Sequence, residues 1–254
     1  MTRKWLIVSI PTNSGSSLIY GYIGYCAKAT ILVEGHWGMG NAWAHHEKYK
    51  DFKRVMTQGG LEEHYRNPDN YRWPAIVTKW ERMLKENDPV AFDDPDGILS
   101  VKSTFGPLIS QGLAPFLPPD TRWIFGLRDP YAFCEGVRRR ERHPLALCAR
   151  HWLRTANLQM ENEHQLPNHL YVSYEDQADR PEETAKRVRE FVPELADFKM
   201  DGTLEKPTIV GKQKAITNLN SIQVSKLSLD DIAEITAVLR EDPEIVAYFG
   251  YKLL

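Results

Sequence analysis

Two rhythms of apolar residues divide this chain. Short, nearly continuous apolar runs fall at Trp5–Ile10, Thr30–Val33, Gly97–Lys102, Arg122–Leu127 and His169–Ser173. Runs of this length, rich in β-branched and aromatic residues and bounded by turn formers, predict buried strands. Between them apolar residues recur at helical spacing. Leu18, Ile19, Tyr22, Ile23 and Cys26 line one face of a helix predicted over 16–28. The same periodicity predicts helices over 74–86, 105–117, 131–142, 145–164, 182–192 and 229–249, with Pro243 splitting the last. Residues 36–73 are rich in His, Trp, Tyr and Gly without a clean period, and 202–225 read as loop. Neither repeats nor low-complexity segments occur.

Strands alternating with helices imply an α/β fold. The expected form is a three-layer, mostly parallel central sheet of about five strands flanked by helices. In such sheets ligands sit outside the carboxyl ends of the strands. The turn 11–17, Glu34, Lys102 and Arg128 all follow predicted strands, so four polar features share one sheet edge.

With 254 residues the chain is long enough for a full core, and it is read as a single domain, 1–254. A formal charge of −2 gives no reason to expect a nucleic-acid partner. Cys26, Cys134 and Cys148 show neither metal spacing nor a disulfide framework; buried thiols in a cytoplasmic protein are expected. Arg3 and Lys4 precede an apolar run, but Pro11 ends it too early for a secretory signal, and no stretch has the length of a membrane span.

The chemistry concentrates first at Thr12-Asn13-Ser14-Gly15-Ser16-Ser17, between a strand and a helix. Backbone N–H groups at such a turn converge at the positive end of a helix, which suits a phosphate or sulfate. The nucleotide-triphosphatase pattern G-x-x-x-x-G-K-S/T is absent. Arg128-Asp129-Pro130 follows the fourth strand and can grip a second phosphate in a fork. Trp152, then Val172-Ser173-Tyr174-Glu175-Asp176, Pro181 and Phe191, form a strand–helix unit whose Tyr and Glu fix a loop.

Taken in order, these features resemble the sulfotransferases that use 3'-phosphoadenosine-5'-phosphosulfate (PAPS). That family carries P-R/K-S-G-S/T-S/T after its first strand, R-D/N-P after a later one, then a Trp and V-x-Y-E-D-L before a proline-started helix. Family members often end in a helix followed by G-Y, here Phe249-Gly250-Tyr251. The resemblance spans nearly the whole chain and implies a P-loop nucleotide-hydrolase-like fold. It implies that Thr12 to Ser17 bind the 5'-phosphosulfate, and that Arg128 binds the 3'-phosphate. Two positions depart from the pattern. Asn13 stands where the family has Lys or Arg, and Gly136 where it has a serine that helps hold the 3'-phosphate. Arg138, Arg139, Arg140 and Arg142 are nearby donors or a solvated basic face.

The resemblance further implies in-line sulfuryl transfer from PAPS to a hydroxyl of a small molecule or glycan, without a metal, leaving 3',5'-adenosine bisphosphate. Glu34 is the expected base, with His36, His45 and His46 as alternatives. Lys102 is the expected replacement cation, ahead of Lys79, Lys212 and Lys214. Residues 203–225, with Gly211 and Lys212, are expected to cover the nucleotide. Residues 36–80 form the expected acceptor-site or lid region, walled by Trp37, Trp43, Tyr49, Tyr65 and Tyr71. Trp73 and Trp80 are read as core. A kinase-like P-loop protein and a non-catalytic, nucleotide-binding descendant stay as alternatives. The acceptor and the oligomeric state are left open.

Overall fold

The computed structural model describes residues 3–32, 73–104, 106–202 and 216–254. Five strands form one sheet: β1 (Lys4–Ser9), β2 (Ala29–Leu32), β3 (Ile98–Lys102), β4 (Arg122–Phe125) and β5 (His169–Tyr171). Their order is β2-β3-β1-β4-β5, with every pairing parallel. β1 is central; Val8 lies beside Lys102 on one neighbour and Ile124 on the other. The expected sheet is therefore present, and all of it is parallel.

Side-chain alternation along β1 sorts the core. Trp5 and Ile7 join Trp73, Trp80, Leu84, Trp123 and Phe125 on one face. Leu6, Val8 and Ile10 join Ile19, Tyr20, Ile124, Val188 and Phe198 on the other. Both faces are covered, as a parallel sheet requires. Trp73 and Trp80 are fully buried, in agreement with their reading as core.

The described helices are α1 (Ser16–Ile23), α2 (Trp73–Asn87), α3 (Pro89–Asp93), α4 (Gly106–Leu113), α5 (Pro130–Glu141), α6 (Leu145–Gln165), α7 (Tyr174–Asp179), α8 (Pro181–Phe191), α9 (Asn220–Val224), α10 (Leu229–Leu239) and α11 (Pro243–Tyr248). Pro243 does split the last helical stretch, where it opens α11. A third core joins α5, α6, α10 and α11 through Tyr131, Trp152, Ile235 and Ile245.

Three details differ from the sequence reading. α1 stops at Ile23, where Gly24 donates to the Tyr20 and Tyr22 carbonyls. Just after the helix predicted over 74–86, a short unpredicted helix α3 begins: Asp88 accepts the Ala91 N–H and Pro89 takes the first turn. The stretch 202–225, read as loop, contains α9.

Candidate functional site

The sheet order reverses direction at β1, so the loops after β1 and β4 border one crevice. The first loop is the turn 11–17. Ser14 N–H donates to the Pro11 carbonyl at 3.3 Å, closing it. Asn13 (φ 64°) and Gly15 (φ 88°) both adopt left-handed backbone conformations. Asn tolerates that region better than most residues, and glycine has no Cβ to oppose it. Gly15 is the N-cap of α1, so no side-chain oxygen caps the helix, and its first turn carries no acidic residue. First-turn amides lack intrahelical acceptors, and the helix dipole favours an anion in front of them. Asn13 Nδ2 and Ser14 Oγ are buried without hydrogen-bond partners.

Lys102 closes one side of the turn. It ends β3, is 2 % exposed, and donates from Nζ to Ser17 Oγ at 3.1 Å. On another side Arg140 donates from Nη2 to Thr12 Oγ1 at 3.3 Å.

Arg128 comes from the loop after β4. It is 6 % exposed, and its Nη1 donates to the Asn13 carbonyl at 3.3 Å. The turn and Arg128 thus share one site. Nε donates to Asn220 Oδ1 at 2.7 Å and Nη2 donates to Gln223 Oε1, both on α9. The guanidinium lies over the Tyr174 ring, 3.9 Å from its centroid. Burial lowers its pKa, opposed by Tyr174 and Glu175; arginine nevertheless stays protonated.

The remaining motif residues hold Arg128 in position. Trp152 Nε1 donates to the Arg128 carbonyl at 2.8 Å. Asp129 caps α5 by accepting the Ala132 N–H at 2.8 Å, and its own N–H donates to Glu175 Oε1 at 2.9 Å. Burial raises the Asp129 pKa. Glu175 also accepts from Asn220 Nδ2, and from the Tyr251 hydroxyl at 3.0 Å.

The solved structures most similar in shape include a sulfotransferase domain from the curacin biosynthetic pathway. That similarity has a TM-score of 0.56 at 17% identity and covers 100% of this chain and 99% of that one. The fold is that of a sulfotransferase domain. The sulfotransferase domain of a Synechococcus PCC 7002 olefin synthase gives a TM-score of 0.49 at 18% identity, over 89% of this chain and 94% of that one. No family model matches the sequence, and no curated protein matches it.

Within this sulfotransferase fold, the structure brings together Thr12, Asn13, Ser14, Gly15, Ser16, Ser17, Lys102, Arg128 and Gly136. A Cβ added to Gly136 would lie 3.6 Å from Asn13 Cγ and 3.2 Å from Gln223 Nε2. Of the other nearby arginines, Arg138 pairs with Asp231 at 2.7 Å and Arg139 with Glu135 at 3.1 Å. Lys79 lies on α2, with no described contact to the turn. Glu34, His36, His45, His46, Lys212 and Lys214 lie outside the described residues, as do Trp37, Trp43, Tyr49, Tyr65, Tyr71 and Gly211.

Three residues at the site went unread in the sequence: Gln177, Asn220 and Gln223. Gln177 is fully buried on α7, and both its amide atoms lack partners. A Cβ on Gly15 would stand 2.9 Å from Gln177 Nε2. The place of Gln177 directly after Tyr174-Glu175-Asp176 carried no signal of this burial, because only the folded chain sets it against Gly15. Asn220 and Gln223 had none, because tertiary packing alone brings α9 to Arg128.

Proposed function

We propose that this chain is a sulfotransferase that uses PAPS and sulfates a hydroxyl of a small molecule or glycan. The observation carrying this reading is the shared site: an uncapped helix start and a buried arginine joined through the Asn13 carbonyl. The unpartnered Asn13 Nδ2 and Ser14 Oγ fit an anion there, since buried polar atoms ordinarily find partners.

PAPS, when bound, supplies the sulfuryl group, and 3',5'-adenosine bisphosphate remains. The protein's own contributions are positioning and electrostatics. The Ser14 hydroxyl and the amides of Gly15 to Ser17 hold the 5' end, and Arg128 holds the 3'-phosphate. Gly136 keeps the wall beside Arg128 thin. Lys102, already on Ser17 Oγ, supplies the cation that Asn13 cannot. Glu34 is the proposed base for the acceptor proton, with His36 as its alternate. Residues 36–80 are the proposed acceptor wall, and 203–225, including Lys212, the proposed nucleotide cover within a single domain.

Calorimetry on the full chain tests the reading. Adenosine bisphosphate should bind at least about tenfold more tightly than ATP, because two separated anion grips match its two ends. Arg128→Lys, which removes the fork, should weaken bisphosphate binding about tenfold or more. Tighter ATP binding, or no bisphosphate binding, would overturn the proposal.

A further inference from the structure

Asn13 and Gly136, far apart in sequence, meet beside Arg128. Asn13 Cγ and Oδ1 stand 3.6 Å from the point where a Cβ on Gly136 would sit, an ordinary contact distance. The Asn13 carbonyl accepts from Arg128 Nη1, and Gln223, also beside Gly136, accepts from Nη2. The Asn13 side chain therefore lies at the guanidinium end of the site. Its Nδ2 is buried without a partner, and a primary amide held beside a buried cation is a donor waiting for an anion. A Cβ at 136 would press on the Gln223 amide and come into ordinary contact with that of Asn13. The absence of one leaves room for the Asn13 amide.

We propose that the Asn13 side chain is a specificity-determining group of the Arg128 pocket, donating from Nδ2 to the phosphate monoester held there. It does not serve the sulfuryl-transfer end, which is left to Lys102. This inference rests on the reading above, that Arg128 takes a phosphate. By its chemistry the group selects adenosine carrying a second phosphate over adenosine with only one.

The test compares adenosine 3',5'-bisphosphate with adenosine 5'-monophosphate by calorimetry on the full chain. Asn13→Gly keeps the left-handed backbone without strain, and Asn13→Asp keeps the shape while replacing a donor with a carboxylate. Thermal melts establish that each variant is folded. Asn13→Gly should lower the bisphosphate-to-monophosphate affinity ratio about tenfold while monophosphate affinity stays within about twofold. Asn13→Asp should lower the ratio further, by about a hundredfold. Adding Gly136→Ser to Asn13→Gly should restore part of the preference, since a hydroxyl then enters the same space and only the tip of Gln223 must move. Equal weakening of both ligands in Asn13→Gly would place the side chain at the other end and overturn the inference. Unchanged affinity for both would do so too. A wild-type chain indifferent to the second phosphate would instead overturn the parent reading, and this one with it.

Discussion

Lys102 and Gln177 flank the same turn with opposite electrostatic consequences. Lys102 holds a buried ammonium on Ser17 Oγ, and a charged donor there would stabilise a leaving oxygen far better than a neutral one. Under the proposed function, Lys102→Met should lower the sulfuryl-transfer rate about a hundredfold while bisphosphate affinity stays within about threefold. Single-turnover kinetics beside calorimetry separates the two quantities. Gln177 buries an amide with no partner against Gly15, which is a standing cost to the fold. Gln177→Leu should therefore raise stability by about 1–2 kcal/mol, read as a higher denaturation midpoint without a change in slope. The sequence made Lys102 visible because a strand end names its own edge of the sheet. It hid where the Asn13 side chain lies, because a left-handed backbone at a non-glycine residue redirects the side chain.

At the scale of elements, strands and long helices were legible because burial imposes period on them. Short helices were less so. α3, α7 and α9 are five or six residues long and too brief for a repeat. For α3 and α7 capping chemistry was the better guide, whereas α9 follows Leu219 without a side-chain cap. Ser173 and Asp176 form a reciprocal capping box at the start of α7, within a stretch that the sequence reading took only for its Tyr and Glu. The interface of α5 with α6 carries a testable pH response. His151 on α6 packs edge-on against Phe133 of α5, their ring centroids 5.5 Å apart, and burial pushes its pKa down to about 4. The unfolded chain then binds the proton more readily than the native one. Its contribution is complete above the ordinary histidine value near 6.5 and is lost as pH falls through about 4. His151→Phe should flatten the fall in denaturation midpoint between those limits. A slope identical to wild type would assign the acid sensitivity to other groups.

Across the whole molecule, the cysteines give an independent gauge of integrity. Cys26 lies in the core on the α1 side of the sheet, Cys134 and Cys148 in the core of α5 and α6. Burial, with Asp197 adding to it, pushes the Cys26 thiol up to about 12; burial pushes Cys148 to about 11 and Cys134 well above its ordinary value. Reactivity needs both thiolate and access, so alkylation of the native chain should run at least about a hundredfold slower than in denaturant. Rapid labelling of Cys26 alone would reveal local opening beside α1. The sequence anticipated these buried thiols, and the sheet too, because both follow from composition and alternation. It could not order the strands, since order depends on which chain segments travel past one another. That order has a consequence for synthesis. β1 precedes the other strands, yet its partners begin at Ile98 and Arg122, so the central strand of the sheet must wait for distant sequence. Until then a ribosome carries a bare, sticky hexapeptide, a natural client for a holding chaperone, and fragments ending before β3 should precipitate where the complete chain does not.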